Sequence, residues 1–167
     1  AAANCTIKVA ITVADAAVQV DFTGTSSAVP GNINCPLSVT AAGVFYVIRC
    51  LLPPETPACA GAFDVVTIQA TPGCLVHAQR PAATAAGNVE TSMRIVDCML
   101  GALAEALPNE IPAASQGTMN NVAMGQVGHW DYYETLGGGT GASSNQKGID
   151  AVQSHMTNTL NTPIEVL

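Results

Sequence analysis

Charge is what this sequence has least of. Of its 167 residues, 10% are Asp, Glu, Lys or Arg, against roughly 25% in ordinary globular chains. The basic residues are Lys8, Arg49, Arg80, Arg94 and Lys147, and they are dispersed. That excludes the basic footprint of a nucleic-acid binder and the basic amphipathic helix of a membrane-surface protein. Aromatic residues make up 4%, with a single Trp. No apolar run approaches the roughly 18 residues of a membrane span. The cysteines Cys5, Cys35, Cys50, Cys59, Cys74 and Cys98 show no C-x-x-C spacing. A chain that is 49% hydrophobic needs no disulfide staples, so free thiols are expected, with Cys35, Cys50 and Cys98 in apolar contexts. The start, Ala1-Ala2-Ala3-Asn4, has neither Met nor a positive n-region, so it does not read as a signal peptide. The chain reads as beginning inside a longer, cytoplasmic sequence.

What is present points to a single domain over 1–167, large enough to bury roughly 70% of its unfolded surface. A net charge of −7 from so few charged residues leaves little to keep such an apolar chain monomeric. The composition therefore predicts a piece of a larger assembly or polypeptide.

The clearest local signal is a helix opened by Gly87-Asn88-Val89-Glu90. Val89, Met93, Val96, Leu100, Leu103 and Leu107 recur at steps of three and four, and Glu90, Arg94, Asp97, Gly101 and Glu105 form a polar stripe. Asn88 is the expected N-cap and Pro108 the expected stop, which predicts a helix over about 89–107. A second helix, about 37–52, begins after Pro36, is apolar nearly all round, and ends at Pro53-Pro54. Arg49 on it calls for a carboxylate if buried. Alternation over Ile7–Val13 and Val18–Phe22, around Ala14-Asp15-Ala16, predicts an N-terminal β-hairpin. Further strands are expected over Phe63–Ala70 and His129–Leu136. The class is α+β, with the N-terminal β-hairpin and two long helices packed on a mostly antiparallel sheet.

Several motifs resemble the hydantoinase B/oxoprolinase family: Gly31-Asn32-Ile33-Asn34, Arg49-Cys50-Leu51-Leu52-Pro53-Pro54, Ala86-Gly87-Asn88-Val89-Glu90-Thr91-Ser92, Pro112 through Asn121, Tyr132 through Gly139, and His155-Met156-Thr157-Asn158-Thr159 through Thr162-Pro163-Ile164-Glu165. The resemblance runs along nearly the whole chain. It implies a B-type subunit or C-terminal region of an ATP-dependent enzyme that opens cyclic amides, 5-oxoproline or N-methylhydantoin. In the family a hydantoinase A-type partner binds ATP with Mg and is held to phosphorylate the substrate carbonyl oxygen. Close relatives carboxylate acetone or acetophenone, so a ketone carboxylase subunit is the family's alternative, and a non-catalytic scaffold fragment is the alternative of another class. The chain is shorter than family members, and the His/Asp-rich metal segment of the carboxylases is not found in it. It is therefore expected to be a partial region, inactive alone, with the rest of the B-type chain as a partner.

The candidate site residues carry two readings each. Glu90 and Arg94, spaced i,i+4, are either an exposed helix pair worth roughly 0.2–0.5 kcal/mol or a wall facing an anionic intermediate. Gln116, Asn120 and Asn121 either build turns or match the donor and acceptor edges of a lactam. Asn88 and Asn158 join them as substrate-binding candidates. Glu134 is an outward strand residue or a general base. His155 is a structural histidine or the acid/base group. None of His77, His129 and His155 is paired at metal-ligand spacing, so no metal is expected on this chain. Gly137–Gly141 is not followed by Gly-Lys-Ser/Thr and reads as a hinge or a close backbone approach, which assigns ATP to the partner.

Overall fold

The structure, a computed structural model, describes residues 4–160 and 165. The Thr162-Pro163-Ile164 part of the C-terminal motif lies outside the described residues.

The first hairpin pairs β1 (Ala10–Ala14) with β2 (Ala17–Asp21), with Ile11 opposite Val20 and Val13 opposite Val18. Its two-residue turn places Asp15 and Ala16 at φ of 52° and 62°, the geometry that matches the natural strand twist. The strand β3 (Val66–Gln69) then adds to β2 in parallel, Val18 against Val66 and Val20 against Ile68. A parallel neighbour requires a crossover. Here the crossover holds α1 (Leu37–Leu51). A short 3-10 turn at Ala60–Phe63 delays β3, so the strand starts three residues later than the expected Phe63.

Helix α1 packs against α2 (Thr91–Ala104), and both lie on the three-stranded sheet. Gly43 lets the helices approach: a Cβ there would stand 3.3 Å from Ile95 Cγ2. Val44 and Val47 meet Ile95, Val96 and Met99, and Val20, Phe22 and Val76 complete the buried core. The buried face of α2 takes in Met93 and Val96 of the expected stripe and widens beyond it to Ile95 and Met99.

Both helix ends differ from expectation. Asn88 does not cap α2. Its φ and ψ, −73° and −36°, are already helical, whereas an N-cap residue is extended. It follows a 3-10 turn at Ala85–Gly87, and the N-cap position falls to Glu90, which makes no side-chain cap bond. The helix ends at Ala104, before Pro108 is reached. On α1, Arg49 is half-buried and meets no carboxylate among the described residues. Its guanidinium donates to the carbonyls of Pro53 (3.2 Å) and Pro54 (3.1 Å), satisfying acceptors just beyond the helix end.

A second sheet stands apart from the first. The strand β4 (Asn120–Gln126) pairs antiparallel with β5 (Trp130–Leu136), Asn120 opposite Leu136 and Val122 opposite Glu134. Each finds its main packing partner in the other. Met124, Val127, Trp130 and Tyr133 on it are exposed. All six cysteines are thiols; Cys35 and Cys74 are buried, while Cys50 and Cys59 are exposed, Cys50 against its expected apolar setting. No helix among the described residues is long and apolar enough to cross a membrane.

Candidate functional site

The motif Gly31–Asn34 folds around one amide. Asn34 is fully buried. Its Oδ1 accepts from the Val29 N–H at 2.7 Å, and its Nδ2 faces the carbonyls of Val29, Gly31 and Ala83 at 2.8–2.9 Å. The start of α2 is bolted to this loop: Thr91 Oγ1 donates to the Ile33 carbonyl, and the Ala86 N–H donates to the Asn32 carbonyl at 2.8 Å.

Glu90 and Arg94 fasten the uncharged segment before β4. Glu90 Oε1 accepts from Thr118 Oγ1 at 2.5 Å, and the Val89 carbonyl accepts from the Met119 N–H at 3.3 Å. Gly117, at φ +74°, lies against the Arg94 guanidinium, where a Cβ would stand 2.4 Å from Nη1. Arg94 Nη1 also reaches Asp97 Oδ2 at 3.7 Å. Glu90 and Arg94 line a cavity of about 600 Å³ with Cys5, Ile7, Leu75 and Cys98.

A different cavity, of about 330 Å³, collects His155 with Tyr46, Ser115, Gln153, Ser154 and Thr157. His155 sits at φ 52°. Its Nδ1 is 3.3 Å from the Tyr46 hydroxyl, and the two rings meet edge to face with centroids 5.8 Å apart. On the other side Nε2 is 3.8 Å from Asp97 Oδ1. Burial pushes the His155 pKa down from its usual range, against the opposing pull of Asp97. Burial likewise pushes Asp97 up, against His155 and Arg94. Tyr46 is pushed up to about 12, by burial first and then by the Cys50 thiol, with the His155 backbone opposing. The pair is thus a neutral imidazole beside a carboxylate at neutral pH, not a strong ion pair. The Ser154 hydroxyl is buried and finds no hydrogen-bond partner among the described residues.

The sequence-derived candidates do not converge on one pocket. His155 lines the smaller cavity, and Glu90 and Arg94 the larger. Gln116 packs over the glycine run, where a Cβ on Gly138 would collide with its Oε1, and its Nε2 is buried without a partner among the described residues. Asn121 serves the second sheet, accepting from Thr135 Oγ1 at 2.7 Å and donating to the Met119 carbonyl at 2.9 Å. Glu134 accepts from the Tyr132 hydroxyl two residues away on its own strand. Gln153, in the His155 cavity, donates to the Thr135 carbonyl at 2.7 Å, next to Glu134. Asn88, Asn120 and Asn158 are exposed. Asp97, Tyr46, Gln153 and Ser154 were not among the candidates. Asp97 had a signal, as the inner member of the polar stripe, and so did Tyr46, as a hydroxyl on an otherwise apolar helix.

The glycine run is a close backbone approach. A Cβ on Gly141 would stand 1.8 Å from the Ala113 carbonyl oxygen, and one on Gly137 2.8 Å from that of Ala151. The N–H groups of Gly139 and Thr140 already bond the carbonyls of Val152 and Ile149. A phosphate cradle needs such N–H groups free, and these two are not. No group of three or more His, Cys, Asp or Glu that could hold a metal occurs among the described residues.

An α+β unit with two packed helices, a mixed sheet and a cavity between Tyr46 of α1 and the loops that carry Ser115, Thr140 and His155 is what the geometry defines. The whole chain, residues 1–167, matches the hydantoinase B/oxoprolinase family, and the chain belongs to it. The 5-oxoprolinase 1 of Arabidopsis thaliana is 42% identical over 146 residues, covering 87% of this chain and 11% of that protein. Among solved structures, the ATP-dependent caprolactamase from Pseudomonas jessenii has a TM-score of 0.74 at 22% identity, covering 87% of this chain and 26% of that one. An acetone carboxylase in its nucleotide-free form has a TM-score of 0.71 at 13% identity, covering 89% and 21%. At these identities the two structures show the fold alone. The chain spans no more than about a quarter of the length of each of these three proteins.

Proposed function

We propose that this chain is part of an ATP-dependent cyclic-amide hydrolase that opens a 5-oxoproline or hydantoin ring. It works in the cytoplasm with a hydantoinase A-type partner and with the remaining part of a B-type chain, and it is inactive alone. The observation that carries the reading is the family match over the entire chain, to which the structure adds a small polar cavity at His155. ATP with Mg belongs to the partner in this reading, because the glycine-rich run here lacks a Gly-Lys-Ser/Thr and has the N–H groups of Gly139 and Thr140 engaged.

In this reading the ring amide enters the His155 cavity. An uncharged, hydroxyl-rich wall suits a neutral lactam, whose N–H and C=O need both acceptors and donors. The buried Ser154 hydroxyl is a donor awaiting such an acceptor. His155, kept neutral by burial, is the base on which the proton released by the attacking water comes to rest. Glu134 is proposed as a second proton-handling group, linked to the cavity through Thr135 and Gln153. Asn88, Gln116, Asn120, Asn121 and Asn158 are proposed as polar walls for substrate, with Glu90 and Arg94 holding the 115–119 segment that carries Gln116.

The test uses the complete enzyme with ATP and either 5-oxoproline or N-methylhydantoin, assayed for ring-opened product. His155→Ala and Glu134→Gln are each expected to lower kcat by about 10²-fold or more. Unchanged turnover in both variants removes their proton-transfer roles. Bicarbonate-dependent ATP turnover with a ketone selects carboxylation instead. Activity insensitive to every polar substitution, with assembly lost on apolar ones, selects a scaffold.

A further inference from the structure

The two ring nitrogens of His155 face different neighbours, and those neighbours face different surroundings. Asp97, on α2, stands at the Nε2 side and is absent from the cavity lining; Tyr46, on α1, stands at the Nδ1 side and is part of that lining. The order is a half-buried carboxylate, an imidazole, and then a hydroxyl that opens onto the cavity. We propose that Asp97, His155 and Tyr46 form one proton line, in which Asp97 is a positioning residue that keeps the Nε2–H tautomer and the Tyr46 hydroxyl, rather than the imidazole, meets the reacting water. The proposal rests on the ring-opening function above and names the groups that carry its proton.

The geometry sets the roles. A carboxylate beside Nε2 favours the proton on that nitrogen, and Nδ1 is then the acceptor for the Tyr46 O–H. Nδ1 faces the Tyr46 hydroxyl and Nε2 stands 3.8 Å from Asp97 Oδ1, too long for a hydrogen bond but close enough for its charge to act, so water in the cavity reaches the line at the hydroxyl. The protons of the water attack and ring opening balance within the line, activation by ATP being the partner's step. The water oxygen bonds the amide carbon while its proton passes to Tyr46 Oη, and the Tyr46 proton passes to His155 Nδ1. The imidazolium so formed, stabilised by Asp97, returns a proton through the same hydroxyl to the ring nitrogen as the C–N bond breaks. Tyr46 is neutral before and after, in keeping with a phenol that burial holds well away from ionisation. The ionisable and charged groups around His155 are Asp97, with Arg94 beyond it on α2, and Tyr46, with Cys50 beyond it on α1.

The complete enzyme carrying Asp97→Asn or Tyr46→Phe tests the line by two readouts. The first is the His155 pKa, from a mass-spectrometric titration of histidine C2–H exchange, which does not depend on turnover. Removing the Asp97 charge is expected to lower it, and removing the Tyr46 hydroxyl, which supports the neutral ring, to raise it. The second is the pH profile of kcat/KM. Tyr46→Phe is expected to lower kcat by about 10²-fold with KM little changed, and Asp97→Asn to lower kcat by about 10-fold and shift the acid limb in the direction of the His155 titration. A His155 titration unmoved in both variants overturns the line, and so does full kcat in Tyr46→Phe. If the wild-type enzyme opens no cyclic amide, the functional reading fails separately, and the two titrations alone decide whether the line exists.

Discussion

The backbone carbonyl oxygen of Asn34 stands 2.1 Å from where a Cβ on Gly87 would be, so the two loops meet with no room for a methyl group. The neighbour is main chain, and it belongs to the residue whose side chain already ties Val29, Gly31 and Ala83 together. Neither side yields by turning a rotamer.

Gly87→Ala is therefore expected to destabilise the fold by about 3 kcal/mol, the upper range of overpacking in a tight interior. Gly101→Ala is the control. That glycine lies in α2 with nothing within 4 Å of its missing Cβ, and alanine there is expected to stabilise by about 0.5–1 kcal/mol through helix propensity. Chemical denaturation midpoints of the two variants should move in opposite directions; equal shifts would refute the account of Gly87.

Asn34→Asp preserves shape and inverts chemistry. The Nδ2 donor facing three carbonyl oxygens becomes an acceptor facing them, in a fully buried position. The expected cost at neutral pH is about 3 kcal/mol or more. An introduced carboxyl there has its pKa raised, and in the protonated form it donates one hydrogen bond. Its stability deficit should then shrink as pH falls toward the ordinary Asp value and grow as pH rises through the raised one. Thermal melts across that range, compared with wild type, check the sign.

The His155–Asp97 pair gives the wild type a pH signature. The folded pKa of His155 is depressed below 6.5, so its contribution is present above 6.5 and is lost as pH falls through the folded value. Asp97 is raised above 3.8, so its contribution is present below 3.8 and is lost as pH rises through its folded value. In the window just below 6.5 the histidine governs, and stability is expected to fall with acidification. His155→Gln should gain stability relative to wild type over that window. A constant difference between the two proteins from 6.5 downward would show that His155 is not buried as described.

The elements that local pattern determines were legible in the residues. Pro36 and Pro53-Pro54 bracket α1, and alternating valines and isoleucines place β1 and β2. What depends on partners distant in sequence was not. Nothing near Val66 says that it will lie parallel to Val18. The strand β4 escaped notice because Asn120-Asn121 and Gly125 read as turn chemistry, and only the pairing with β5 makes them a strand. In the site, His155 stood out as a polar residue in a tail motif, but Tyr46 lies 109 residues away, and no spacing rule joins them. Asn34 gave no signal of its structural part: its amide is consumed by backbone groups of its own loop and by the Ala83 carbonyl, 49 residues away.

The separate standing of the second sheet has a consequence for how this protein is measured. Its one tryptophan, Trp130, is half exposed at the turn end of a two-stranded hairpin. Isolated hairpins are marginal in water, and regions with few buried apolar contacts open at lower free energy than a core does. Tryptophan fluorescence thus reports the opening of that arm, while the helical circular dichroism signal comes from α1 and α2. A melt followed by fluorescence describes a different event from one followed by ellipticity, and neither alone supplies a single unfolding free energy for the chain.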